Sequence, residues 1–202
     1  GATGNASTNG SCSAAAQAYC ALMATSQPLV AEELLDTHAL QKHRMLLDIG
    51  GGDGSFLVHA AQRAPDLELA LFDLPAVAAQ ARQRVARNGL AHRCTIHSGD
   101  FRSDPLPRGA DVATLVRVVH DHDDATVRQL LVAVRQALEP GGTLLLAEPM
   151  ADTPGAQAMG DAYFGFYLLA MGSGRPRSCG QLAALLTEAG FVAIRPLPTR
   201  IP

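Results

Sequence analysis

At 202 residues the chain is long enough for one domain with a substantial core, and a formal net charge of −3 without clustered Lys or Arg excludes the electrostatic footprint of a nucleic-acid binder. Its four cysteines, Cys12, Cys20, Cys94 and Cys179, form no C-x-x-C pair, which excludes a zinc knuckle or disulfide framework and implies reduced thiols in a cytoplasmic protein. The apolar run Tyr163 to Met171 is too short for a membrane span, and the N-terminus carries no basic-then-apolar leader.

Gly1 to Ser13 is rich in Gly, Ala, Ser and Asn and reads as a linker, tag remnant or disordered stretch; both chain ends read as incomplete. Ala14 to Thr25 suits a helix, and Pro28, tolerated in a first turn, opens a second one through Leu35. Alternation follows: strand Met45–Ile49, helix Gly54–Ala64, strand Leu67–Phe72, helix Pro75–Gly89, strands Cys94–His97 and Asp111–Val116, helix Asp123–Leu138, strand Thr143–Ala147. Ala156–Met171 and Cys179–Ala189 read as helices and Phe191–Arg195 as a sixth strand. The pattern predicts an α/β domain built on a Rossmann-like, doubly wound, mostly parallel sheet.

The run LLDIGGGDGSF, Leu46 to Phe56, joins the first strand to the first helix of that sheet through a glycine-dense turn. Counted from Gly50 or Gly52, the third glycine of a dinucleotide G-x-G-x-x-G falls on Ser55 or Leu57, so that spacing fails. Asp53 is expected to project a carboxylate where a pyrophosphate would sit, which favours a cationic or zwitterionic ligand. The remaining pattern, Asp48, Gly50, Gly52 and Gly54, resembles the first motif of class I S-adenosylmethionine (SAM) methyltransferases. Their ligand carries a sulfonium and an ammonium.

Ligands of such sheets sit beyond the C-terminal strand ends. Asp73, followed by Leu74, ends the second strand, where an acid accepts from ribose hydroxyls; its competing role is helix capping. Asp100 and Phe101 follow the third strand, where the resemblance implies a carboxylate by the adenine amine and an apolar neighbour on the ring. The segment Arg117 to Asp124 resembles the HDW-DD/DE motif of plant-type small-molecule O-methyltransferases and their bacterial relatives, with His122 in place of tryptophan. By that resemblance Arg117 contributes to the cofactor site, His120 is the base that takes the acceptor hydroxyl's proton, and Glu148 orients its imidazole. Asp121 is a candidate to tune the imidazole and Asp123 to cap the next helix. The family's second acid, before an Arg-Thr pair, is missing: here Arg175, Pro176, Arg177 and Ser178 stand in line. That departure leaves room for catalysis by proximity.

Ala21 to Leu35 and Met159 to Ser178 resemble the carotenoid-modifying branch of that family, the demethylspheroidene or hydroxyneurosporene O-methyltransferases. The resemblance implies an acceptor pocket containing Met23, Phe164, Tyr167 and Met171, with SAM as cofactor and S-adenosyl-L-homocysteine as product, and no metal. The domains are then 1–13 linker or tag, 14–40 helical remnant of an N-terminal region, and 41–202 SAM-binding domain. The N-terminal dimerisation domain is largely absent, as is the final antiparallel strand. A full-length homodimer touching a membrane surface to reach a lipophilic acceptor is expected. Other acceptors (tetrapyrrole, phenazine, polyketide), a non-catalytic SAM-binding module and, more distantly, an NAD-dependent oxidoreductase are the competing readings.

Overall fold

The computed structural model describes residues 27–153 and 174–200. Five short apolar runs form its strands: β1 (Met45–Ile49), β2 (Glu68–Asp73), β3 (Cys94–Ser98), β4 (Ala110–Val116) and β5 (Leu138–Ala147). All pair in parallel in the order β3-β2-β1-β4-β5, so the chain steps outward from β1 to β3 and then crosses back to the other side of β1. That reversal is the switch point at which an open α/β sheet forms a ligand crevice.

Helices α1 (27–37), α2 (Ser55–Arg63), α3 (Pro75–Arg87), α4 (Asp124–Ala137) and α5 (Cys179–Glu188) cover the sheet. Strand alternation sorts the core: Leu47 and Ile49 face Val127, Leu130, Leu131 and Val134 of α4 and Leu182 and Leu185 of α5. On the opposite side Leu46 packs with Phe56, Leu57 and Ala60 of α2 and Ala31, Leu34 and Leu35 of α1. Pro75 opens α3, Asp123 caps α4 by accepting from the Thr126 N–H at 2.8 Å, and Ser178 and Gln181 form a capping box on α5. The capping role expected for Asp123 is thus borne out.

Element boundaries lie within one or two residues of the sequence reading, with two departures. Strand β5 begins at Leu138 rather than Thr143. It pairs Ala110 with Leu138, bulges over Pro140–Gly142, and resumes at Val112 with Thr143. No strand forms over Phe191–Arg195. A strand needs a neighbour to accept its N–H groups, and among the described residues none borders β5 on its outer side; Ala193 takes φ +55° and Val192 is 86% exposed. The chain beyond runs back to α1 instead, where Arg200 pairs with Glu33 and Asp36. The helices expected over Ala14–Thr25 and Ala156–Met171 lie outside the described residues, as do Met23, Phe164, Tyr167 and Met171.

Candidate active site

The turn after β1 must pass beneath the loop after β4, and glycine allows it. Gly50 takes φ +67°, and a Cβ there would lie 2.7 Å from Val118 Cγ2. Beside this contact opens a cleft of about 280 Å³, walled by the ends of β1 to β4. Of the residues expected to hold a cofactor, Gly50, Asp73, Leu74, Asp100, Phe101 and Arg117 lie on its wall; Asp48, Gly52 and Gly54 do not. Arg117 follows β4 at φ +58°, a conformation costly for a side-chain-bearing residue, and reaches Gln27 Oε1 on α1 at 3.4 Å.

Asp73 ties β2 to the glycine turn, accepting from the Gly52 N–H at 2.8 Å and the Leu74 N–H at 2.7 Å. Burial raises its pKa, and the two N–H bonds oppose that. Asp100 is taken up by Arg102, whose Nε and Nη2 donate at 2.8–3.1 Å and hold its carboxyl below the usual range. The Phe101 ring meets His122 edge-on, centroids 5.2 Å apart. His122 therefore stands on the cleft wall. Asp53 departs from expectation: its carboxylate pairs with Arg84 of α3 and accepts from the Ser55 N–H, away from this wall.

Asp48 shares the face of Leu46 and lies sealed beneath the glycine turn. Thr114, its register partner on β4, donates to Oδ1 at 2.7 Å, while Oδ2 has no partner. Burial pushes the carboxyl up to about 7. An acid whose folded pKa exceeds its unfolded value near ~3.9 holds its proton more tightly when folded, so stability falls as pH rises from that value to about 7. Asp48→Asn is expected to remove this slope: urea midpoints of wild type and variant at pH 5 and pH 8 check it, and parallel pH responses would refute it.

Behind the cleft, the 3-10 turn Val119–Asp121 carries His120, which is 3% exposed. Its Nδ1–H donates to Glu148 Oε2 at 2.5 Å. Glu148 also accepts the N–H groups of Val118 (2.8 Å), Val119 (2.6 Å) and His120 (3.4 Å), so one buried carboxylate gathers the turn's donors. Nε2 lies 3.3 Å from Asp121 Oδ1 on the cleft wall. Burial works against the imidazolium, but the Glu148 hydrogen bond and the charges of Glu148 and Asp121 outweigh it and raise the His120 pKa.

Sequence reasoning missed what lies behind this turn. Arg177, 2% exposed, donates to the Val119 and His122 carbonyls and to Asp124. Asp124 also binds Arg175, and the two guanidinium groups hold its carboxyl at about 2. The available signal was the pair Arg177–Ser178 at the family's Arg-Thr position.

A five-stranded parallel sheet flanked by helices, with its cleft at the switch point, is a Rossmann-like fold, and its likeness to solved methyltransferases makes it the class I methyltransferase fold. A family model described as an O-methyltransferase domain matches residues 4–192, and the chain belongs to that family. It is 48% identical over 180 residues to a demethylspheroidene O-methyltransferase of Cereibacter sphaeroides, covering 89% of this chain and 48% of that protein. The structure of mitomycin 7-O-methyltransferase superposes with a TM-score of 0.80 at 32% identity, covering 92% of this chain and 54% of the other. Human N-acetylserotonin methyltransferase in complex with SAM gives 0.71 at 27%, covering 89% and 50%. The chain spans about half the length of the curated relatives it matches.

Proposed function

We propose that this chain is the cofactor-binding and catalytic part of a SAM-dependent O-methyltransferase acting on a hydroxyl of a hydrophobic small molecule, a hydroxycarotenoid of the demethylspheroidene type. The observation that carries the reading is the buried Glu148–His120 pair set behind Asp121 at the wall of the switch-point cleft.

The wall suits SAM. The Asp73 oxygens each keep acceptor capacity for ribose hydroxyls, Leu74 and Phe101 offer apolar contact for a purine, and Asp73 and Asp121 favour a cation over a pyrophosphate. Bound SAM would supply the electrophilic methyl group and end as S-adenosyl-L-homocysteine. Glu148 holds the proton on Nδ1, which leaves Nε2 to take the acceptor's proton, and then stabilises the imidazolium formed. Asp121 must yield Nε2 to the hydroxyl. A tertiary alcohol is a weak acid, so its proton leaves during attack rather than before it. Because the His120 pKa is raised, the basic form grows as pH rises, and turnover is expected to climb with pH through a midpoint above the ordinary histidine value.

Calorimetry tests the cofactor. SAM is expected to bind with micromolar affinity, about −8 kcal/mol, and Asp73→Ala to weaken it roughly tenfold or more. Binding of NAD in its place would overturn the reading. Methyl transfer to hydroxycarotenoid, tetrapyrrole, phenazine and polyketide acceptors then tests the substrate class, which the 48% identity to the Cereibacter enzyme supports. The same reading makes the whole protein a cytoplasmic homodimer that meets its acceptor at a membrane surface, checked by light scattering and vesicle flotation.

A further inference from the structure

The turn that carries His120 is gripped by two opposite charges. Glu148 takes its N–H groups from inside the sheet. From the other side comes Arg177, on the segment leading into α5. Its five N–H groups are all engaged: Nη1 donates to the Val119 carbonyl at 2.9 Å and the Arg175 carbonyl at 3.3 Å, Nη2 to the His122 carbonyl and Asp124 Oδ1, both at 2.7 Å, and Nε to Asp124 Oδ1 at 2.9 Å. The Val119 and His122 carbonyls bracket His120 and Asp121. Gly174 presses on the same turn, since a Cβ there would lie 2.3 Å from the His120 carbonyl oxygen.

We infer that Arg177 is a positioning residue for the His120 base, fixing the carbonyl side of its turn as Glu148 fixes the amide side. The inference rests on the base assignment above. A buried guanidinium is costly unless its donors are satisfied, and here two of its partners are the backbone carbonyls that flank the His120–Asp121 pair. Lysine, with three donors and no planar fork, cannot span both carbonyls and Asp124.

The test is a double-mutant cycle on the full-length protein, with SAM and demethylspheroidene as substrates. Arg177→Met is expected to lower kcat roughly 10- to 100-fold with KM for SAM within about twofold, because Arg177 is not on the cleft wall. Combined with His120→Gln it should cost nothing beyond His120→Gln alone. Amide hydrogen exchange should quicken at Val118 to His122 and stay unchanged in β1 and β4, and this is readable without an acceptor. If Arg177→Met does not fold, Arg177→Lys carries the same cycle. Losses that multiply in the double variant, or exchange that quickens throughout the sheet, would overturn the assignment. Wild-type kcat in Arg177→Met with His120→Gln inactive would overturn Arg177 alone. Wild-type kcat in His120→Gln would overturn the base reading itself, and this inference with it.

Discussion

Replacing Glu148 by Gln is expected to lower turnover roughly 1000-fold while leaving SAM affinity within about twofold of wild type. The carboxylate is acceptor-only, and all four groups aimed at it are donors. A carboxamide has one accepting oxygen and one donating nitrogen. If the oxygen stays with Val118 and Val119, the amide NH₂ faces Nδ1 of His120 and forces that nitrogen to accept. The imidazole proton then sits on Nε2, the nitrogen that has to receive the hydroxyl proton. If the amide flips, two backbone N–H groups lose their acceptor in the core, at about 1–3 kcal/mol for each buried group left unpaired. Glu148 does not line the cleft, so the loss belongs in kcat. Rapid-quench turnover beside SAM calorimetry decides it; turnover within a few-fold of wild type would remove the Glu148–His120 pair from the proton's path.

A second large effect is expected from one methyl group. A Cβ at Gly51 would lie 2.4 Å from Asp48 Oδ2 and 2.8 Å from Leu71 Cδ1, both sealed in the core. Both are side-chain ends in a filled core, so making room takes new rotamers there or a shift of the turn itself. Gly51→Ala is therefore expected to cost about 3 kcal/mol and to abolish SAM binding by lifting the turn away from Asp73. At Gly52 a Cβ meets nothing within 4 Å, and the strain comes from φ +60° alone. Gly52→Ala should cost about 1 kcal/mol and leave binding nearly intact. Urea midpoints and SAM titrations of the two variants side by side check the contrast; equal losses would show that the turn reshapes freely.

Much of this architecture was legible before any coordinates. The strands are apolar runs between Gly, Pro and polar clusters, and a period of two on β1 already places Asp48 on the buried face of Leu46. What stayed hidden depends on distant neighbours. Pro140–Gly142 reads as a strand breaker, yet a bulge against Ala110–Val112 absorbs it. Phe191–Arg195 has the composition of a strand and, among the described residues, no partner with which to be one. The direction of Asp53 is set by Arg84, 31 residues away on another helix. Arg177 stands at the family's Arg-Thr position with no role that sequence alone attaches to it, and only the folded chain brings the two carbonyls flanking the histidine against it. The glycine turn, Asp73 and the His120–Glu148 pairing were readable because strand order alone carries strand ends to one edge of the sheet.

The central position of β1 also shapes how the chain is made. Its partner across the Asp48–Thr114 pair lies 66 residues downstream. At a synthesis rate of about 5–20 residues per second, β1 waits roughly 3–13 s for that strand after it emerges from the ribosome. Once β3 has emerged, and until β4 follows, β1, β2 and β3 can stand as a three-stranded sheet whose exposed border is the strand that will end at its centre. An acid pointing into the face of such a border, ionised while water still reaches it, discourages a second nascent chain from docking there. When β4 closes over Asp48, burial raises the carboxyl to about 7, and the Thr114 hydroxyl gives Oδ1 the donor that water supplied before.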